Sequence, residues 1–300
     1  MVAASLPNAS AVTLTQPKPA RSEWARTWAA LRRNRGAMIG LAIVVLLVLC
    51  AIFAPRISPY DPMLMGAGKS LEPPSWAHPF GTDKFGRDLF SRVIAGSRLT
   101  LFIGCLAVAI SCTIGSLLGL ISGYAGGVVD NVIMRAVDVM FSFPDILIAL
   151  SVVALLGPSL RNAVIAVGIS AIPWYARVVR GTVLVEGKKQ YFEAAESLGA
   201  GHTRLIGQHI LPNALPPILV LATLGFSTAI LSAAALSFLG LGAQPPEPEW
   251  GLELSLGRDL MRQAWWIMTF PGLAIAITVL GFNLLGDGLR EALDPRQRRG

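Results

Sequence analysis

Six stretches of the sequence, 37–53, 99–122, 132–156, 162–179, 214–239 and 267–285, are predominantly apolar and about as long as a bilayer-crossing helix requires, roughly 20 residues. Inside hydrocarbon only helices and closed barrels satisfy every backbone N–H and C=O, and continuous rather than alternating apolar sequence selects helices. The expected fold is therefore an all-α polytopic membrane protein with six transmembrane helices. Composition agrees, because 53% hydrophobic and 14% charged residues do not suit a soluble chain of 300 residues. A net charge of +7 raises the question of nucleic acid. The arginines, however, flank apolar runs and form no continuous basic tract with interleaved aromatics, so they read as topology signals. Cys50, Cys105 and Cys112 fall in apolar runs without metal-type spacing, which makes buried thiols the expectation and excludes a disulfide framework or zinc site.

Residues 1–20 are rich in Ala, Ser, Pro and Thr and lack a helical period, which predicts a flexible tail. In 21–36, Trp24, Trp28 and Leu31 share one helical face beside five arginines, as in a basic interfacial helix. The first span, 37–54, begins too late and runs too long for a signal peptide. Residues 55–98 carry six prolines and are expected to be an external segment. Within it, Gly66-Ala67-Gly68-Lys69-Ser70 imitates a phosphate loop, but Met63 stands where the first glycine is required and Pro73-Pro74 follow, so no nucleotide site is assigned. Residues 99–286 form the expected five-helix core, and 287–300 a tail. Gly104, Gly115 and Gly119 suit close helix contact in the second span. The third span holds Arg135, Asp138 and Asp145 and is expected to kink at Pro144; Arg135 and Asp138 form an expected i, i+3 pair. Asp145 is a candidate for the translocation path, since a charge at membrane depth faces a bundle interior or water. Pro173 should kink the fourth span, Pro216-Pro217 should open the fifth, and Trp265 and Trp266 read as an interfacial belt before the sixth.

A polar island, 190–212, interrupts this pattern between the fourth and fifth spans. Tyr191, Ala194, Ala195 and Leu198 follow i, i+3, i+4, i+7 spacing, predicting a short amphipathic helix at about 190–201. Gly199 and Gly201 weaken it, Leu205, Ile206 and Ile210 give a second apolar stripe, and Pro212 marks an expected boundary. Taken alone, the periodicity equally fits a helix lying on the membrane surface.

Glu193-Ala194-Ala195, Gly199 and Leu211-Pro212 stand in the register of the EAA signature, Glu-Ala-Ala, three residues, Gly, nine residues, Ile, one residue, Leu-Pro. His209 occupies the isoleucine place. This resembles the permease subunits of ABC importers. Two further strings, His78 through Arg92 and Leu236 through Gly251, are similar to the C-type subunits of dipeptide and oligopeptide permeases. The resemblance implies a type I ABC importer permease fold with a cytoplasmic coupling helix, in which Tyr191, Glu193, Ala194, Ala195, Leu198, Gly199, Leu211 and Pro212 couple to an ATPase. It also makes Asp83, Arg87, Asp88, Glu247, Glu249 and Trp250 candidate contacts for an external binding protein, with a salt-bridged loop as the plainer role for each. Implied partners are a homologous second permease subunit, two ABC ATPase subunits that bind ATP and Mg, and an extracytoplasmic peptide-binding protein. No cofactor is expected in this chain, and no catalysis.

Orientation follows from Lys and Arg. Segments 21–36, 177–211 and 287–300 carry 14, whereas 56–98, 158–161 and 241–263 carry 9, so both termini and the island are expected on the cytoplasmic side of the inner membrane. An ion-coupled transporter using Asp138 or Asp145 is the competing function. An intramembrane hydrolase is disfavoured, because His78, His202 and His209 are scattered and no zinc or nucleophile motif occurs.

Overall fold

The computed structural model describes residues 23–293; the expected tail at 1–20 and the last seven residues lie outside them. Helix α1 (Glu23–Arg33) leads into α2 (Arg35–Ile57) across Asn34, whose side chain accepts from the Ala37 N–H and caps the second helix. After an irregular segment come α3 (Leu89–Ala125), α4 (Gly127–Phe141), α5 (Asp145–Leu156), α6 (Leu160–Ser170) and α7 (Ile172–Glu186). The island holds α8 (Gln190–Ser197) and a short turn, α9 (His202–Arg204), that runs through a π-helical stretch (Leu205–Ile210) into α10 (Leu211–Phe238). Then α11 (Trp250–Gly257) precedes α12 (Trp266–Leu293). Five helices are long and apolar enough to cross a membrane, and the bent pair α4–α5 makes a sixth crossing if counted as one.

The helices pack where small residues let backbones meet. Helix α3 lies along α7, and a Cβ on Gly115 would stand 2.6 Å from the Ile172 carbonyl, so only glycine fits. Gly104 meets the Phe226 ring of α10 in the same way. Helix α2 crosses α12 at Gly40, where a Cβ would be 2.7 Å from the Gly281 carbonyl. A central core joins α3, α5, α6 and α10 through Ile103, Ala149, Val153, Val164, Val167 and Leu236. Large apolar side chains such as Leu46, Ile52, Phe102 and Leu117 are exposed around the bundle, as lipid or a second subunit requires.

Several boundaries differ from expectation for identifiable reasons. Helix α3 starts at Leu89, so 89–98 belong to the span and not to the external segment. Their charges are tolerated because Arg92 is buried in an ion pair. The third span is no mild kink: α4 and α5 meet at 93°, since Pro144 disfavours helix at Phe143 and ends α4 at Phe141. Asp138 pairs with Arg177 of α7 at 2.6 Å, not with Arg135. Asp130 takes Arg180 through two bonds of 2.5 Å, fixing α4 to α7 a second time. Pro212 is no boundary, for helix runs continuously through it. Its missing N–H falls just after the π-helical stretch, where the Leu211 N–H already reaches back to the Ile206 carbonyl and the Asn213 amide donates to the His209 carbonyl at 2.6 Å. Pro216 and Pro217 consequently lie inside α10. Helix α12 extends to Leu293, past the expected end at 285. Trp265 is exposed as a belt residue should be, whereas Trp266 is buried and donates to the Thr82 carbonyl at 3.0 Å. Cys105 is exposed and Cys50 and Cys112 are half-buried, so the thiols are less covered than expected within this chain.

Candidate functional site

Helix α8 is anchored by one residue the stripe did not single out. Phe192 is buried among Val179, Val183, Leu205, Ile210, Ala214 and Ile218, between the end of α7 and the start of α10. With Phe192 inward, Tyr191, Glu193, Ala194 and Leu198 face out, Leu198 being 89% exposed, while Ala195 is half-buried. Leu211 and Pro212 are exposed at the start of α10. The helix ends as a short helix must when its carbonyls need donors: Gly199 takes φ +80, its N–H bonds the Glu196 carbonyl at 2.9 Å, and the Ala200 N–H bonds the Ala195 carbonyl at 3.1 Å. No atom would meet a Cβ at Gly199 within 4 Å, so its glycine serves conformation and not close packing within the chain.

The entry to α8 is also fixed. Buried Glu186 at the end of α7 accepts from Lys189 at 2.5 Å and from the Tyr191 hydroxyl. Desolvation and the Glu186 carboxylate push the Tyr191 phenol up to about 12, so it remains a donor at neutral pH. His209, at the place of the signature isoleucine, lies 5.7 Å from the Tyr191 ring. On the far side of the island, the Tyr124 hydroxyl meets His202 Nδ1 at 2.6 Å, joining the end of α3 to the island. Glu186, Lys189, Phe192, Tyr124 and His202 thus make α8 a rigid extension of α3, α7 and α10.

At the opposite end of the bundle, five of the six residues expected to meet a binding protein are buried. Asp83, Arg87, Asp88, Glu249 and Trp250 are each at most 4% exposed, and Glu247 is half-buried. Gly81 and Gly86, at φ +75 and +69, make the expected tight turns. Asp83 accepts from the Phe85 and Arg87 N–H groups and from Arg87 Nε at 2.5 Å. Asp88 caps α3 by accepting from the Ser91 N–H at 2.8 Å and meets His78 Nδ1 at 2.9 Å. Glu249 caps α11 by accepting from the Gly251 and Leu252 N–H groups. Burial pushes its carboxyl above the usual range, against those two bonds. Trp250 donates to the Val93 carbonyl at 2.9 Å. These five residues hold turns together and are buried within the chain rather than presented to another protein.

Two residues outside the expected set clamp these turns together. Arg92 and Glu253, both fully buried, pair at 2.5 Å, and Arg92 also donates to the carbonyls of Pro62, Pro246 and Glu247. One guanidinium so ties α3, the irregular segment, the 239–249 turn and α11. No local signal joins positions 161 apart. With Arg87 and Arg92 both neutralised, segment 56–98 carries less free positive charge than its count suggests. The Gly66–Ser70 stretch packs on this clamp, Gly68 N–H bonding the Gly86 carbonyl at 3.0 Å. That geometry is a structural turn and not a phosphate cradle.

Asp145, at the first turn of α5, lines a cleft between α3, α6, α7 and α10 together with Ser111, Ser170, Tyr175, Thr228 and Ser232. No group of three or more potential metal ligands occurs among the described residues.

Residues 115–299 match the family described as the binding-protein-dependent transport system inner membrane component. The chain belongs to that family. Residues 22–74 match the N-terminal transmembrane domain of oligopeptide transport permease C. The chain is 51% identical to the dipeptide transport system permease protein DppC of Escherichia coli K12, over 91% of this chain and 93% of that protein. It is 46% identical to the di/tripeptide transport system permease protein DppC of Pseudomonas aeruginosa UCBPP-PA14, over 96% of each, and 48% identical to the glutathione transport system permease protein GsiD of Escherichia coli O6:K15:H31, over 96% and 95%. Among solved structures, the inward-facing MetNI methionine ABC transporter superposes with a TM-score of 0.55 at 21% identity, covering 69% of this chain and 98% of that one. That likeness establishes the fold, a type I ABC importer permease. As an inner membrane component of such a system, the chain is a translocation subunit and not an enzyme.

Proposed function

We propose that this chain is one permease half of an ATP-driven importer of dipeptides or short oligopeptides. It works beside a homologous permease, two ATPase subunits that bind ATP and Mg, and an extracytoplasmic peptide-binding protein, with both of its termini on the cytoplasmic side. The names of its relatives support the substrate class, since DppC of two species is named for the transport of dipeptides or of di- and tripeptides. The observation that carries the coupling role is α8. An eight-residue helix with Phe192 locked into the bundle presents Tyr191, Ala194 and Leu198 outward, an apolar face with nothing of its own chain to cover it.

The mechanism follows from how that helix is held. Closure of the ATPases on ATP pushes on the exposed face of α8 around Glu193-Ala194-Ala195 and Leu198. Because Glu186 ties the helix to α7 and Phe192 ties it to α10, the push moves those spans as one body. The close α3–α7 crossing at Gly115, Gly119 and Gly123 carries α3 along with them. The central cleft beside Asp145 then alternates between the two sides. Residues 23–33 and 58–88 lie outside this moving core, the first as an interfacial helix and the second as an external platform.

Reconstitution tests the reading. Proteoliposomes holding this chain, its partner permease and the ATPases should take up a labelled dipeptide only with ATP inside and binding protein outside. Uptake by the chain alone under an ion gradient would refute it.

A further inference from the structure

The cleft beside Asp145 has an unusual polarity. Ser111 donates its hydroxyl proton to the Ala107 carbonyl at 3.0 Å, Ser170 to Val167 at 3.0 Å and Thr228 to Gly225 at 2.9 Å. The Tyr175 hydroxyl is aimed at the Leu221 carbonyl at 3.4 Å. With their protons directed into the helices, the Ser170 and Thr228 oxygens keep acceptor capacity for a ligand, and the Ser111 oxygen shares its own with the Tyr175 hydroxyl. Asp145 adds a carboxylate; its Oδ1 accepts only from the neighbouring Ile146 N–H, and its Oδ2 has no partner among the described residues. No Lys or Arg lines the cleft. The nearby ion pairs on α4 and α7, Asp138 with Arg177 and Asp130 with Arg180, are each closed on themselves.

Depth matters as much as charge. Ser111 lies near the middle of α3, Tyr175 near the middle of the continuous α6–α7 span, and Thr228 within α10, so the cleft lies at mid-span, with Ser111, Ser170 and Tyr175 buried at its floor and Asp145 and Thr228 exposed at its mouth. The 93° turn between α4 and α5 delivers Asp145 to that level as the first residue of α5. A wall of acceptors with one carboxylate and no cation is matched to a ligand that donates several hydrogen bonds and carries positive charge. A peptide in water has one such group in every sequence, its terminal ammonium.

We propose that Asp145 is a specificity-determining residue that receives the α-ammonium group of the peptide in transit, with the hydroxyl oxygens of Ser111, Ser170 and Thr228 completing the cleft. This deepens the proposed function and rests on it. The side-chain-independent ammonium is the part of a dipeptide that a transporter accepting many sequences can hold. The cleft offers no partner to the peptide's carboxylate, which is left to the second permease.

The test uses the complete reconstituted transporter with Asp145→Asn and Asp145→Glu, and L-alanyl-L-alanine as probe. Loss of a charge-assisted hydrogen bond predicts uptake lower by about tenfold in Asp145→Asn, with permease pairing and binding-protein-stimulated ATP hydrolysis within about twofold of the parent, and recovery in Asp145→Glu. The ratio of parent to Asp145→Asn uptake should fall toward one as pH passes the α-amino pKa, about 7.7 to 8.0. Asp145 and Tyr175 are the only ionisable side chains in the lining. Four results would overturn the proposal: parental uptake in Asp145→Asn, a ratio flat with pH, failure of Asp145→Glu to recover, or parallel loss of pairing or ATP hydrolysis, which would assign Asp145 to a contact between subunits. Absence of ATP-driven uptake in the parent itself would instead count against the peptide-importer reading.

Discussion

Gly199 offers a sharp test of why the signature requires glycine. Its φ of +80 lies in the left-handed region, and no atom stands within 4 Å of where a Cβ would be. Gly199→Ala therefore costs about 1 to 2 kcal/mol of backbone strain and no steric clash. Helix α8 has eight residues, well below the roughly 12 to 15 at which an isolated helix becomes even marginal, so its order depends on the cap and on Phe192. A loss of that size lowers the ratio of ordered to disordered α8 by a factor of about 5 to 30. Gly201 supplies the control, since it too has no atom near its Cβ position but sits at φ −69. Uptake per ATP hydrolysed, measured in proteoliposomes, should fall in Gly199→Ala and stay near the parent in Gly201→Ala. Gly199→Asn should fall between, because asparagine tolerates the left-handed region. Equal behaviour of the two alanine variants would refute the conformational argument and return the role of Gly199 to close approach by a partner.

Two further outcomes follow from the external clamp. Arg92→Ala leaves Glu253 buried without its cation and should destabilise the solubilised chain by about 3 to 5 kcal/mol, seen as a marked drop in melting temperature; a shift under one degree would contradict the clamp. Glu249 is raised by burial, so its folded form holds a proton more readily than its unfolded form. Stability from this residue is fullest below the ordinary glutamate pKa and declines as pH rises through the elevated value. Melting of Glu249→Gln should lose that part of the pH dependence, and an unchanged profile would argue against the burial effect.

The spans were legible because apolar length is a local property that the bilayer enforces. Their ends were less so. The first turns of α3 carry Arg92 and Arg98, and only the distant Glu253 explains why Arg92 is buried in a helix. Pro212 reads locally as a stop, yet the π-helical stretch before it absorbs the missing donor. In the island, the helix and its outward stripe were readable from period, whereas Phe192, a lone aromatic off the stripe, becomes the anchor only once α7 and α10 converge. Asp83, Asp88 and Glu249 look like surface carboxylates in sequence because turn and cap bonds, their actual partners, are made by backbone N–H groups that composition does not display. Asp145 was visible as a charge in an apolar run, but the acceptor-lined cleft around it is assembled from four other helices.

The central claim is that force from separate ATPase subunits enters through α8. Leu198, 89% exposed at the end of that helix, is the place to measure it: a cysteine there, Leu198→Cys, treated with a bifunctional thiol crosslinker in the transporting complex. The account predicts an adduct with an ATPase subunit whose yield changes between nucleotide-free and ATP-trapped states. Active uptake with no such adduct in either state would contradict it.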